Sequence, residues 1–230
     1  MHLVLSGEGN SDIGKLCYPS TRFFPAPMYY LIDKIIETKL KYSFYELTPE
    51  LITFVPKSKL IDIQKKFISF PSKGKNKETA LFFKNARTLA MIAREKAKEL
   101  DDEDVIAILF RDSDGTVSTI NGMWDKKIQS IEKGFNFENF NRGVAMMPNP
   151  KSEVWLLCAL KNKYLNCSDL ENRSGNDNSP NNLKDELEHF GISYEETNKI
   201  NEMIKNGEID IDKIDMPSFR YFVDALNSLL

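Results

Sequence analysis

An α/β fold built on a mostly parallel sheet is predicted by three features of this 230-residue sequence. Over residues 1–165, short apolar runs alternate with amphipathic stretches, the order from which βαβ units are made. One of those runs, Val105 to Phe110, is continuous and rich in branched residues, as a strand buried on both faces requires. The stretch from Lys77 to Leu100 keeps Leu81, Phe82, Ala86, Leu89, Ala90 and Ala93 on one helical face.

The elements follow in order. Leu3 to Ser6 reads as a buried strand entering the tight turn Gly7-Glu8-Gly9. Tyr30, Leu31, Ile35 and Ile36 give helical spacing from Met28 to about Leu40. Leu51 to Val55 is β-like and stops at Pro56, and the 77–100 helix is broken by the acidic run Asp101 to Asp104. After the 105–110 strand come a helix over Gly122 to Gly134, a strand over Gly143 to Met147 and a turn over Pro148 to Pro150. A helix over Ser152 to Leu160 follows. Residues 172–182, rich in Asn, Ser, Gly and Asp, read as a linker, with helices beyond it to Leu230. This divides the chain into an α/β domain over 1–165, with 42–100 as an insertion or extra α/β unit, and a linker with a small helical extension over 166–230.

Composition narrows the chemistry. With 41% hydrophobic and 28% charged residues the chain can bury a core and is too apolar to stay unfolded. No apolar run approaches the ~20 residues of a membrane span, and the first residues lack a basic, then apolar leader. A soluble, cytoplasmic protein with no membrane partner is the expectation. Cys17, Cys158 and Cys167 are odd in number and form no C-x-x-C, so neither a disulfide framework nor a structural zinc site is expected. Only His2 and His189 are present, which excludes H-E-x-x-H zinc chemistry and leaves carboxylates to carry any reaction.

The net charge of −3 gives no global attraction for nucleic acid. The charge is unevenly spread, though. Lys57, Lys59, Lys65, Lys66, Lys73, Lys75 and Lys77 stand against Asp62 alone within residues 57–77. Such a segment is most often a solvated face, and Lys65, Lys66, Lys73 and Lys75 are its candidate phosphate contacts.

Ligands of open parallel sheets bind outside the carboxyl ends of the strands. Acidic residues stand at three such ends: Glu8 and Asp12 in Gly7-Glu8-Gly9-Asn10-Ser11-Asp12, Asp112 and Asp114 in Arg111-Asp112-Ser113-Asp114-Gly115-Thr116, and Glu153 after Pro150. Clustered carboxylates raise one another's pKa, and a hard divalent cation with oxygen preference relieves that cost. Asp112 and Asp114, two apart in a loop, suit one ion. Glu8, Asp12 and Glu153 suit a second, as in two-metal phosphoryl transfer. Singly, each acid also reads as a turn or first-turn helix residue.

Two other signatures overlap these positions. Gly9 to Lys15 resembles a P-loop, but Leu16 replaces the Mg²⁺-binding hydroxyl and Pro19 interrupts the helix that should follow, so that reading fails. Asp112-Ser113-Asp114-Gly115-Thr116 matches the D-x-D-G-T motif of haloacid-dehalogenase-type phosphatases, which implies Asp112 as nucleophile. More than 100 residues precede a motif that normally opens that fold, so it stands second.

Taken together, Glu8-Gly9-Asn10-Ser11-Asp12, Asp112-x-Asp114 and Glu153-x-Trp155 with Pro150 ahead of it resemble a Toprim domain. The nearest likeness is to the overcoming-lysogenization-defect (OLD) nucleases and related stand-alone bacterial Toprim proteins. The resemblance spans about residues 1–165. It implies a Toprim-like Rossmannoid sheet flanked by helices and an endonuclease dependent on Mg²⁺ or Mn²⁺. By it, Glu8, Asp112 and Asp114 are catalytic, Glu8, Asp12, Asp112, Asp114 and Glu153 hold metal, and Lys184 contacts phosphate. It further implies nucleic acid, DNA first, as substrate, a separate ATPase subunit as partner and a setting in antiphage defence. A non-catalytic Toprim-like binding subunit is the remaining alternative. Residues 166–230 carry no readable motif and are expected to form a homo-oligomer contact or to cap the sheet.

Overall fold

The protein's structure, a computed structural model, describes residues 1–66, 77–113, 120–160, 166–180, 182–193 and 196–230. β1 (His2–Ser6) leads into an antiparallel hairpin of β2 (Gly14–Cys17) and β3 (Arg22–Pro25). α1 (Pro27–Leu40), the short α2 (Phe44–Leu47), β4 (Ile52–Phe54) and α3 (Lys57–Gln64) come next. α4 (Lys77–Leu100), β5 (Val105–Phe110), α5 (Ile120–Phe137), β6 (Gly143–Met146) and α6 (Glu153–Ala159) complete the α/β layers. α7 (Leu183–His189), α8 (Thr197–Lys205) and α9 (Pro217–Asn227) end the chain.

The main sheet has the order β4-β1-β5-β6, and all its pairs are parallel. The crossovers between its strands carry helices on both faces, which is why the strands read as unbroken apolar runs. Alternation sorts the side chains. Leu3, Leu5, Ile106, Ile108, Phe110, Val144 and Met146 join the core under α1, α6 and the C-terminal helices. Val4, Val105, Ala107, Leu109 and Ala145 face α4 and α5. These two helices meet closely: a Cβ on Gly134 would stand 2.5 Å from the Phe83 carbonyl oxygen and 2.8 Å from the Ala86 Cβ, so only glycine fits.

The expected strands and helices over residues 1–160 occur within a few residues of their predicted ends. The structure adds the β2–β3 hairpin and α3, which lies in the lysine-rich segment. Residues 42–100 contribute β4 and α4 to the same layers as the rest. The C-terminal helices pack into the same core. Trp155 is fully buried, donates from Nε1 to the Ser218 Oγ at 2.9 Å, and packs against Phe219 and Phe222 of α9.

One feature is not anticipated from the sequence. Cys158 and Cys167 form a disulfide, joining the end of α6 to the next turn. An odd cysteine count and the lack of C-x-x-C argue against a framework of bridges or a zinc site, not against one local pair whose Cα atoms lie 5.5 Å apart. Cys17 remains a free thiol. Among the described residues, no helix is long and apolar enough to cross a membrane.

His2 begins β1, buried, with Nε2 within 2.8 Å of the Thr53 Oγ1 on the neighbouring strand. Burial, helped by the positive charges of Lys96 and the N-terminus, lowers its pKa from 6.5 to about 4. The native state thus binds fewer protons than the unfolded chain between those values, so stability present above pH 6.5 is lost as pH falls towards 4. In urea unfolding, the wild-type midpoint is expected to drop more steeply over this window than that of His2→Gln; parallel curves contradict the assignment.

Candidate functional site

The register of β1 against β5 places Ser6 beside Leu109, so the loops after both strands leave the sheet at one edge. β5 and β6 pair as Phe110 beside Met146, which brings the turn before α6 to that edge too. The segments that carry Glu8, Asp112 and Glu153 therefore start from the same edge, although far apart in sequence. Asp114 lies outside the described residues, as do Lys73 and Lys75.

The loop after β5 is closely held. Arg111 donates its backbone N–H to the Met146 carbonyl at 3.1 Å, continuing the β5–β6 ladder by one residue. The Ser113 N–H reaches the carbonyls of Pro148 and Pro150 at 3.3 and 3.0 Å, and its hydroxyl faces Asn149 Oδ1 at 3.1 Å. Lys127 of α5 donates to the Ser113 carbonyl at 2.5 Å, and Trp124 Nε1 to that of Met147 at 2.9 Å. The Asp112 carboxylate accepts the Ser152 N–H at 3.1 Å, which ties the strand-end acid to the residue before Glu153.

Glu153 is buried, 2% exposed. Burial holds its pKa above the usual carboxylate range, and the charge of Asp12 adds to this while Lys151 and Lys184 oppose it. Asp12 and Glu153 are thus electrostatic neighbours although 141 positions apart in sequence. The Asp12 carboxylate lies over the glycine turn: a Cβ on Gly9 would stand 2.5 Å from Asp12 Oδ2. Lys184 reaches the same corner and pairs with Asp177 at 2.9 Å, and Lys151 pairs with Asp177 at 2.7 Å.

Glu8 is held differently. Its carboxylate pairs with Lys57, the first residue of α3, at 2.6 Å, and it lies within the field of Arg111. Arg111 is 2% exposed. Its Nη1 donates to the Phe110 carbonyl at 2.6 Å, while Nε and Nη2 meet no hydrogen-bond partner among the described residues. Burial lowers its pKa to about 10, with Glu8 acting in the opposite direction, so it is charged at neutral pH. In the sequence Lys57 merely follows Pro56 and Arg111 precedes Asp112. Only the strand register reveals that both flank Glu8. Lys65 is exposed and pairs with Asp62 at 2.9 Å, and Lys66 is exposed at the end of α3.

All the acids offer oxygen donors, the chemistry that hard divalent cations prefer. The mutual repulsion of Asp12 and Glu153 is of the kind such a cation relieves. Among the described residues, however, no group of three ligating side chains stands close enough to hold an ion, and Glu8 is engaged by Lys57. Comparison of the chain with protein-family models, curated proteins and solved structures finds no match in any of the three.

A buried guanidinium with two nitrogens lacking partners among the described residues is less favourable than an apolar side chain of similar volume. Arg111→Met is expected to raise stability by about 1–3 kcal/mol in urea unfolding. A loss of stability would show that Arg111 is needed to balance the charge of Glu8.

Proposed function

We propose that this protein is a metal-dependent nuclease of Toprim type, resembling the OLD nucleases, that hydrolyses phosphodiester bonds of nucleic acid. The observation that supports this reading is that the chain segments carrying Glu8, Asp112 and Glu153 leave one parallel sheet at its carboxyl edge, with Asp12 in the field of Glu153. Edges of this kind are where such sheets bind ligands. A bound Mg²⁺ or Mn²⁺ would supply an activated water and charge neutralisation for the leaving oxygen. Asp112, fixed by the Ser152 N–H, is the anchoring ligand, with Asp114 the expected second. Glu153 and Asp12 form the other acidic pair. Glu8, paired with Lys57 and in the field of Arg111, is the proposed general acid–base. Lys184, beside Glu153, and the lysines of α3 are the candidate phosphate contacts.

The Lys57–Glu8 pair also favours a second reading, a non-catalytic subunit that keeps the fold for binding nucleic acid or an ATPase partner. In that case the ion pair is permanent and substitutes for a cation.

Incubation of purified protein with plasmid and with single-stranded circular DNA, in Mn²⁺ or Mg²⁺, separates the readings. Cleavage that falls about 100-fold or more in Asp112→Ala, beyond what even outer-shell partners of a metal contribute, supports the nuclease. Intact DNA under every metal favours the binding subunit. Hydrolysis of p-nitrophenyl phosphate lost in Asp112→Ala but kept in Glu8→Ala would instead assign an aspartyl-phosphate phosphatase.

A further inference from the structure

Beside the acidic edge, a cleft of about 500 Å³ lies between the β2–β3 hairpin and the start of α3. Its size is within the range of clefts that take small ligands. Phe23 of the hairpin stacks on Phe54 of β4 at 5.1 Å and forms the inner wall. Leu16 and Tyr18 line the hairpin side, and Ser58 and Lys59 the α3 side. Tyr18 is 78% exposed, an aromatic ring left in water at the mouth of the cleft. Lys59 is exposed opposite it, and the acid in the lining, Asp62, is neutralised by Lys65 at 2.9 Å.

The cleft and the acidic edge share the first turn of α3. Lys57 binds Glu8, and its neighbours Ser58 and Lys59 turn into the cleft. The hairpin is rooted at the same place, since β2 begins two residues after Asp12. An exposed ring and a cation lining one cleft are the parts of a single-strand site: the ring stacks on a base and the cation follows the backbone. A duplex hides its base faces in its own stack and has nothing to offer Tyr18.

From this we infer that the hairpin–α3 cleft binds an unpaired nucleotide of a single-stranded nucleic acid, with its base on Tyr18 and its phosphate near Lys59. This rests on the nuclease or binding-subunit reading above and names the form of its nucleic acid.

The test is fluorescence anisotropy of the full chain with a labelled oligothymidylate of roughly 12 nucleotides, within the site sizes such proteins span. EDTA is present, so binding is read without cleavage. Single strand is expected to bind more tightly than the matching duplex. Tyr18→Ala should weaken it about fivefold or more and Tyr18→Phe restore it. Lys59→Gln should reduce the slope of log K against log salt by about 0.7. Equal affinity for single strand and duplex, or unchanged binding in both Tyr18→Ala and Lys59→Gln, overturns the inference. So does a Tyr18→Ala variant that alters oligomeric state on gel filtration while leaving anisotropy unchanged, which would assign the ring to a contact between copies. Binding as expected without cleavage in metal rejects the nuclease and leaves the cleft standing. Cleavage that ignores Tyr18 and Lys59 does the reverse.

Discussion

Parallel pairing of β1 with β5 is the constraint on which the rest depends. The ladder from His2 beside Val105 to Ser6 beside Leu109 sets two loops, some 100 residues apart in sequence, at one end of the molecule. A one-residue slip of β1 would turn Leu3 and Leu5 into the core under α4 and α5 and Val4 into the other, so packing on both faces fixes the register. The acidic edge is in this sense a by-product of core packing. The apolar strands decide where Glu8 and Asp112 stand, and the residues themselves only have to tolerate it.

They tolerate it through fixed charge. Lys57 and Arg111 flank Glu8, while Lys151 and Lys184 stand near Glu153. The edge is therefore a mixed field, not a bare acidic pocket. In such a field any divalent ion would compete with lysines for the carboxylates. Arg111 is the least favourable part of the arrangement, its Nε and Nη2 without partners among the described residues. A buried charge kept at the end of the central strand is the sort of local destabilisation found where function outweighs stability.

Much of the fold is legible in the sequence because its signals are strong. The branched run Val105 to Phe110 and the apolar stripe of α4 leave little choice of period. The β2–β3 hairpin is not legible: its strands have four residues each, Gly14 opens one of them, and aromatic Phe24 stands on the exposed face where a polar residue would mark the alternation. The helix α3 hides in a lysine-rich segment, with Leu60 as its only buried residue. Of the site, the shared sheet edge of the loops after β1 and β5 is readable, because a parallel sheet places such ends together. Their cationic partners are not, since the pairing of Lys57 with Glu8 spans 49 positions and exists only once β4 lies beside β1. The Cys158–Cys167 bridge is missed for a related reason: a single local pair leaves no pattern of spacings.

Whether the carboxylates of the edge share a divalent ion is asked most directly by anomalous diffraction from crystals soaked in Mn²⁺. The expected result is a peak at the carboxyl edge of the sheet with Asp112 among its ligands, and Lys57 drawn away from Glu8. A diffraction map with no peak at that edge, and the Lys57–Glu8 pair intact, would contradict a shared ion.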